Sequence, residues 1–475
     1  MSRANVKLES SYDSTRLDAN RQQTVNLYPH TLRGYRQVPG YVTFADFLST
    51  GEALTDSLAS TITDADGNDV EASITPGGAD RGIIAEGPNQ LLYQVTGSSL
   101  YSVDTGGNAL FLGNISNDPN PVVMATDSTQ LIICTGGNPS AYVYTVAAGL
   151  QEITDTDLDT TKSVAFLDSR FIYDQPNGYF VASALNDGTD INSLDFAQAE
   201  ALPDDIRRVF SLNQLLYLFG EKTTEVWFTS GTGRPPLDRQ AVLQHGICGT
   251  YAVDAIDGAI YFIDGNRRPG VIVGSQFSPL YVPAIGEAWA NFGVDDFTTA
   301  RVSCYSLHQE NFVDFIFPDQ GVIWTHHVVS GSWFEKDFVT TNVVQAFNLV
   351  LAAHATNKKI YRLDYSNFQQ DGSNMTRRKD LPLISSEVFG VGGAEMVIDQ
   401  IKLHVETSTA TDVTVKVSKD LISFTTINTV SVNGNKTIDI NALGKCREII
   451  VRVETTTDAK VDIINAAIDA QVLRG

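Results

Sequence analysis

The chain has 475 residues and a formal net charge of −23, with 43% hydrophobic and 19% charged residues. This apolar content is too high for a disordered chain and sufficient for a large core. The acidic balance excludes a tight grip on nucleic acid, because such a grip needs clustered Lys and Arg side chains.

The charge is distributed unevenly. Residues 1–40 carry a net charge of +3, whereas residues 51–200 carry 21 acidic and 3 basic side chains, a net charge of −18. A surface with the same sign of charge as DNA does not hold DNA, so this excess allows DNA to pass nearby without being bound.

The four cysteines, Cys134, Cys248, Cys304 and Cys446, are far apart and form no CxxC pair. We therefore expect reduced thiols in a cytosolically made protein, with no zinc site and no disulfide framework. The start of the chain is polar and lacks an apolar core, so no secretory signal is expected. No stretch approaches 18 apolar residues, so no membrane span is expected.

Residues 1–47 are predicted to contribute a closing strand, for which Gly40–Phe47 is the natural donor, and residues 48–80 an acidic loop or insertion. Within this insertion, the acids of residues 64–71 (Asp64, Asp66, Asp69 and Glu71) are spaced closely enough for a calcium loop. The spacing is not that of an EF-hand, and Asp is an ordinary turn residue, so we favour turns. The same holds for a later cluster, consisting of Asp155, Asp157 and Asp159.

From residue 81 to residue 366, short apolar runs bounded by Gly, Asn or Asp recur in groups. The groups begin at residues 83, 122, 163, 206, 250, 300 and 343, a spacing of 39 to 50 residues. Propeller blades of four strands repeat every ~40–50 residues. The pattern therefore predicts an all-β, β-propeller-like body with six blades, or seven if the incomplete last group is a blade. A β-sandwich of unrelated hairpins is the alternative.

Residues 367–379 are polar and are predicted to be a linker. In residues 380–475, alternating strand patterns are separated by Thr-rich turns, which is typical of an antiparallel β-sandwich. We therefore expect a separate C-terminal β-sandwich domain.

The sequence indicates no catalytic residue, no cofactor-binding residue and no metal ligand. No GxSxG, P-loop or HExxH motif is present. The stretch from Ser418 to Phe424 resembles a sialidase-type Asp box but lacks its Gly and Trp, so a turn is the simpler interpretation. His326 and His327 are adjacent on a predicted strand and should point to opposite faces, which is poor geometry for joint metal binding.

Two basic clusters stand out from the acidic background. One is Arg267 and Arg268, in a turn; the other is Arg377, Arg378 and Lys379, at the end of the predicted linker. Both clusters are candidate contacts for an acidic partner surface or a phosphate, although solvated turns are the favoured interpretation.

Residues 244–251 (Gln-His-Gly-Ile-Cys-Gly-Thr-Tyr) resemble a segment of the tail nozzle proteins of short-tailed, podovirus-type phages, also called tail-hub or packaged-DNA stabilisation proteins. The matching positions are Gln244, Gly246, Ile247, Gly249, Thr250 and Tyr251. Further matches follow the same order: Val25-Asn26, Pro39-Gly40, Phe196–Glu200, Pro203-Asp204, Phe219-Gly220 and Thr224-Glu225. The similarity covers mainly residues 190–285.

This resemblance implies a virion structural protein that forms a homohexameric ring at the distal end of the tail tube. Such a nozzle lies below the portal adaptor, contacts tail fibres or tailspikes and holds a tail needle or plug. It retains the packaged genomic DNA and lets it leave through its lumen during ejection, without tight binding. The alternatives are a propeller-based receptor-binding protein or a glycosidase acting on a host surface polysaccharide.

Overall fold

A computed structural model describes residues 2–6, 22–30, 34–47, 79–199 and 204–473. The predicted acidic insertion and its calcium candidate lie outside these residues, apart from positions 79 and 80. The described chain consists mainly of strands, and the predicted all-β fold with a propeller-like body is confirmed. In these same residues, no helix is long and apolar enough to cross a membrane.

Five strands lie in the described N-terminal segments: β1 (Ser2–Val6), β2 (Thr24–Val25), β3 (Leu27–His30), β4 (Gly34–Gln37) and β5 (Gly40–Asp46).

Five separate four-stranded antiparallel sheets follow, and we number them as blades 1 to 5. Blade 1 contains β6 (Asp80–Ile84), β7 (Leu92–Thr96), β8 (Ser99–Val103) and β9 (Ala109–Asn114). Blade 2 contains β10 (Val123–Thr126), β11 (Gln130–Cys134), β12 (Ala141–Thr145) and β13 (Gly149–Glu152). Blade 3 contains β14 (Val164–Leu167), β15 (Arg170–Asp174), β16 (Tyr179–Ala184) and β17 (Asp187–Gln198). Blade 4 contains β18 (Arg208–Leu212), β19 (Leu215–Phe219), β20 (Thr224–Thr229) and β21 (Leu237–Leu243). Blade 5 contains β22 (Val253–Ile256), β23 (Ala259–Ile263), β24 (Pro269–Val273) and β25 (Gln276–Pro279).

The predicted sixth and seventh groups also form strands, but these belong to a larger sheet. Two short helices, α1 (Pro283–Trp289) and α2 (Val294–Thr299), precede them. The sixth group is β26 (Arg301–Leu307), β27 (Glu310–Phe317), β28 (Val322–His327) and β29 (Ser332–Lys336). The seventh is β30 (Thr340–Ala346), β31 (Leu349–His354) and β32 (Lys359–Asp364). β32 pairs with β5, so this incomplete group gains its fourth strand from the N-terminal region.

The last part of the chain contains very long strands. They are β33 (Gln369–Gln370), β34 (Ser373–Asp380), β35 (Ile384–Ser385), β36 (Glu395–Ser418), β37 (Thr425–Cys446), β38 (Glu448–Thr457) and β39 (Val461–Leu473). β36 has a register shift between Thr407 and Thr411; before it the strand pairs with β39, and after it with β38. The two halves of β36 thus belong to different parts of one curled sheet. Side chains from both halves, Ile401, Leu403, Val413 and Val415, lie in the same buried core.

The chain divides into two compact units. We call Thr43–Tyr251 with Thr340–Arg362 the propeller unit, and Met1–Val42 with Ala252–Val339 and Leu363–Gly475 the curled-sheet unit. Both units are built from segments distant in sequence, whereas the predicted domains were continuous. The division into two units reflects which strands pack together in space, and the strand pattern along the sequence contains no such information.

Neighbouring blades of the propeller unit bury their faces against each other. One core joins Ile132 and Val143 of blade 2 to Phe171 and Val181 of blade 3. Another joins the segment around Phe47 to blade 1 and to β31 and β32. Because a single blade cannot cover both of its faces, this stacking is what makes the repeated pattern stable.

Candidate functional site

The segment Gln244–Tyr251 leads out of the last strand of blade 4. The amide N–H of Ile247 donates to the carbonyl of Gly220 at 2.8 Å, and the Thr224 hydroxyl donates to the carbonyl of His245 at 2.6 Å. Ile247 is completely buried. The segment is therefore hydrogen-bonded to the turn between β19 and β20, which contains the family-like residue Gly220, and to Thr224 at the start of β20.

Gly246 permits this close approach. A Cβ at position 246 would lie 2.3 Å from the carbonyl carbon of Glu221 and 2.4 Å from the carbonyl oxygen of Gly220. Both atoms belong to the backbone, so no side-chain rotation would relieve the clash. A side chain at position 220 would also clash, because a Cβ there would lie 2.4 Å from a carboxylate oxygen of Asp204.

Asp204 closes the β19–β20 turn. Its carboxylate accepts the backbone N–H groups of Glu221 at 2.9 Å, Lys222 at 2.7 Å and Thr223 at 3.0 Å. A carboxylate that accepts several backbone donors fixes a tight turn firmly. The sequence matches Asp204, Gly220 and Gly246 are thus one packed cluster in space.

Arg207 completes this cluster. Its guanidinium donates to the carbonyls of Ile247, at 3.2 Å, and Cys248, and it forms an ion pair with Glu221 at 3.0 Å. The sequence did not single out Arg207, which is followed directly by Arg208 at the start of β18.

Tyr251 reaches furthest from the segment. Its hydroxyl donates to the carbonyl of Pro121, between blades 1 and 2, and its ring packs against the core shared by blades 2 and 3. The remaining motif positions differ in exposure: Gly249 is buried, Thr250 is half-buried and Gln244 is exposed. We call the cluster of Asp204, Arg207, the β19–β20 turn and residues 244–251 the interblade lock.

A recess of about 820 Å³ opens beside the interblade lock. Its charged lining is balanced, with three basic and three acidic side chains: Lys162, Arg207, Lys222, Asp204, Asp205 and Glu221. The hydrogen bonds of Asp204 and Arg207 hold the lock itself together. In this arrangement, Asp204 and Arg207 therefore position the backbone.

Two buried charges of blade 1 were not foreseen from the sequence. Arg81, the one basic residue between positions 51 and 161, is 3% exposed, donates to the carbonyls of Gly97, Ser116 and Asn120, and pairs with Asp118 at 2.9 Å. Asp80 accepts hydrogen bonds from Gln94 at 2.8 Å and from two residues of β30, Thr341 at 2.6 Å and Asn342 at 3.0 Å. Asp80 therefore ties blade 1 to the strands that follow residue 340. The position of Arg81 as a single basic residue in an acidic stretch was the sequence feature that could have indicated its buried ion pair.

The two predicted basic clusters differ in exposure. Arg267 and Arg268 lie in the exposed turn between β23 and β24, where the Arg267 guanidinium sits 5.3 Å from the centre of the Phe297 ring. They remain a predicted partner contact.

The prediction for residues 367–379 needs correction. They contain β33 and most of β34 instead of a linker. Arg377 is 1% exposed and donates to the carbonyls of Met375, Phe368 and Thr457, and burial lowers its pKa to about 10.

The other two residues of this cluster are also occupied within the chain. Lys379 is fully buried, with its ammonium group 3.2 Å from the Thr24 hydroxyl and 4.1 Å from the centre of the Tyr35 ring. Arg378 pairs with Glu454 at 3.0 Å. The solvated-turn interpretation is wrong here, because alternate residues of a strand point into the core.

In the described residues, side chains of the acidic clusters accept hydrogen bonds that stabilise turns. Asp155 accepts the N–H groups of Asp157 at 2.8 Å and Ile191 at 3.0 Å. Asp420, in the stretch resembling an Asp box, accepts the Ser423 hydroxyl and the N–H groups of Ile422 and Ser423, and these hydrogen bonds hold its pKa well below the usual range. Within the described segments, no group of three His, Cys, Asp or Glu side chains could hold a metal ion.

The stacked blades define this chain as an all-β protein with a propeller body, in which hydrogen-bonded turns hold the loops that connect blades. Residues 66–337 match the model of the family described as Bacteriophage P22 Gp10, beta-propeller. The match covers more than half of the chain, and the protein belongs to this family. It is therefore a phage structural protein, and the family implies a virion-associated location.

No curated protein matches the chain. Solved structures with a similar fold include the computationally designed Ika8 protein (12% identity, TM-score 0.39), with 76% of this chain and 99% of that chain covered. A second is the extracellular domain of the putative one component system BT4673 from B. thetaiotaomicron (10%, 0.42), with 67% and 41% covered. A third is the WD40 beta propeller domain of Doa1 (9%, 0.41), with 61% and 94% covered.

Proposed function

We propose that this protein is the tail nozzle of a podovirus-type phage, a homohexamer that closes the distal end of the tail. It retains the packaged DNA and forms the conduit for its ejection. The membership of residues 66–337 in the Gp10 propeller family is the observation that carries this proposal. The portal adaptor, tail fibre or tailspike and tail needle or plug are its proposed partners.

The charge distribution supports a conduit. Six copies would carry 6 × −23 = −138 formal charges, and residues 51–200 hold most of the excess in each copy. DNA that passes such a wall meets like charge and does not bind, which favours rapid release. We expect the lumen of the assembled ring to present mainly Asp, Glu and neutral polar side chains. A lumen lined with Lys and Arg would contradict the conduit.

The hydrogen bonds that hold the loops between blades support a mechanical role. The hydrogen bonds of Asp204, Arg207 and Asp80 fix loops between blades, where a propeller without them would be held mainly by apolar contacts. A wall that must contain pressurised DNA needs this kind of rigidity.

Electron microscopy and mass measurement of the purified protein, alone and with the portal–adaptor complex, test the proposal. We expect a ring of six copies that caps the complex. A monomer that never joins the complex would refute the nozzle. Release of reducing sugar from a host polysaccharide, abolished by one carboxylate substitution, would instead favour the glycosidase.

A further inference from the structure

A groove of about 630 Å³ crosses one end of blades 1 to 3. Its walls come from the connection between β6 and β7, from the β10–β11 and β12–β13 turns of blade 2 and from the β16–β17 turn of blade 3. The recess beside the interblade lock is lined instead by the β15–β16 turn of blade 3, around Asn177. Because successive strands of a blade are antiparallel, the groove opens at the opposite end of blade 3 from that recess. Its volume lies within the range of about 300–1,000 Å³ that is usual for small-molecule sites.

The lining of this groove is almost uncharged. Of the fifteen described residues that line it, only Asp187 carries a charge, and its carboxylate already accepts the N–H of Thr189 at 2.9 Å and the Thr189 hydroxyl at 2.7 Å. The surrounding sequence is acidic, since residues 82–161 contain eight acidic side chains and no basic one. An anion would therefore be repelled without finding a cation, and a cation would meet no uncommitted carboxylate in the groove. The groove thus suits an uncharged ligand.

Three exposed amide side chains line the groove, one from each blade: Asn89, Gln151 and Asn186. None of them forms a hydrogen bond with another described residue. A side-chain amide offers an acceptor and two donors in one plane, so it can bind two neighbouring hydroxyl groups at once. The same lining includes Ala147 and Val146, and Val146 is 56% exposed. The groove therefore combines partners for hydroxyl groups with a small apolar surface for C–H groups.

Hydrogen bonds between the blades hold this groove in shape. The Gln130 side chain of blade 2 donates to the carbonyl of Asn186 at 2.7 Å and accepts the N–H of Gly188 at 3.0 Å, both in blade 3. On the other side, the Ser128 hydroxyl donates to the carbonyl of Glu86 in blade 1 at 3.5 Å. A site whose walls are fixed before binding loses less conformational entropy when its ligand arrives.

We propose that this groove binds a neutral polysaccharide of the bacterial cell surface, which is the surface that a phage structural protein meets. Chains of pyranose units carry neighbouring hydroxyl groups and C–H faces but no charge, and these match the three amides and the exposed Val146. A peptide that binds by strand addition needs a free strand edge, whereas this groove is built from turns. The inference goes beyond the proposed nozzle and does not rest on it, since a nozzle without this site would still close the tail.

Binding of the purified full-length protein to an array of bacterial surface polysaccharides, neutral and anionic, tests the inference. We expect at least one neutral polysaccharide to be bound and the anionic ones to be left unbound. If no neutral polysaccharide is bound, the saccharide site is refuted and the nozzle is left standing. Binding confined to anionic polysaccharides would refute the site as well.

Two substitutions localise the binding to the groove. Asn186→Asp and Gln151→Glu keep the size of each side chain but replace an N–H donor with a negative charge. We therefore expect the affinity for the bound polysaccharide to fall about tenfold or more in each variant.

Asn213→Asp is the matched control. Asn213 is exposed and lies in the first turn of blade 4, outside the groove, and its φ of 51° is close to the 57° of Asn186. The same substitution there should leave the affinity unchanged. Equal affinities of the groove variants and the control would mean that the polysaccharide binds elsewhere, and this outcome would overturn the site.

Discussion

Several buried carboxylates of the two units are stabilised by different kinds of group. In the propeller unit, Asp174 accepts from the Thr161 hydroxyl at 2.7 Å and from the N–H groups of Lys162 at 2.9 Å and Ser163 at 2.7 Å. Glu225 of the same unit pairs with Arg239 at 3.2 Å. In the curled-sheet unit, Asp380 faces Arg452 at 2.7 Å and Asp314 faces Lys336. The acidic propeller sequence has few cations to offer, and acids such as Asp174 and Asp204 bind backbone N–H groups of loops instead.

This difference predicts that single charge deletions cost more in the curled-sheet unit. Lys336 and Asp314 are both fully or almost fully buried, and Tyr305 and Thr325 also bond to them. In Lys336→Met, Asp314 keeps a buried charge without its cation, and breaking such a pair costs about 3–5 kcal/mol. Urea unfolding followed by Trp fluorescence measures it, because Trp289, Trp324 and Trp333 lie in this unit.

The double variant Lys336→Met with Asp314→Leu is the control for that experiment. Removal of both charges should recover part of the lost stability, since the desolvated carboxylate is gone. A double variant less stable than Lys336→Met alone would show that the pair acts through packing and not through charge.

The interblade lock gives the next largest effect. Gly246→Ala places a Cβ against the backbone of Glu221, and forced overpacking of this kind costs about 1–3 kcal/mol. Gly392→Ala is the matched control, because no atom lies within 4 Å of its Cβ position. Differential scanning calorimetry should show a clear decrease in melting temperature for Gly246→Ala and almost no decrease for Gly392→Ala. Equal shifts would contradict the steric origin.

An effect of similar size is expected from the link between blade 1 and β30. Asp80→Ala removes the carboxylate that accepts from Gln94, Thr341 and Asn342, although the Thr341 hydroxyl keeps the carbonyl of Ala353 as an acceptor, and we expect a cost of about 1–3 kcal/mol. Limited proteolysis should then cut the segment around residue 340 faster than in the parent protein. Thr129→Ala, which removes an exposed hydroxyl bonded to Asp127 in blade 2, should leave the rate unchanged. Unchanged cleavage in Asp80→Ala would mean that the apolar core alone holds this link.

The sequence was sufficient to locate the strands but not to predict which strands share a sheet or a compact unit. Alternation and Gly- or Asn-bounded runs located blades 1 to 5 because each strand is determined by its own residues and its neighbours in the hairpin. The resemblance likewise located the interblade lock, since Asp204, Gly220 and Gly246 belong to ordered local matches. Arg377 and Lys379 were misjudged because the groups that accommodate them, such as the carbonyl of Thr457, lie some 80 residues away. Sequence spacing contains no information about such contacts.

Acidification should act in opposite directions on Asp174 of the propeller unit and Glu454 of the curled-sheet unit, because their pKa values are shifted with opposite signs. Burial raises the pKa of Asp174 above its ordinary value, against the opposing hydrogen bonds from Thr161, Lys162 and Ser163. Its contribution to stability is therefore present at low pH and is lost as the pH rises through the folded-state pKa. Burial also acts to raise the pKa of Glu454, but the hydrogen bonds and charges of Lys416 and Arg378 outweigh it and lower that pKa. Its contribution is present above the ordinary value of 4.5 and is lost as the pH falls through the folded-state pKa.

It follows that the curled-sheet unit loses stability first when the pH is lowered from 7 toward 3. In Glu454→Gln this loss should be smaller, because the titrating carboxylate is absent, whereas Asp174→Asn should leave the acid response of the curled-sheet unit unchanged. A Trp227→Phe background leaves fluorescence from that unit alone, so urea midpoints at pH 7 and pH 3 measure it directly. If Glu454→Gln retained the full acid sensitivity, the pairing of carboxylates with cations would not be the source of the difference between the units.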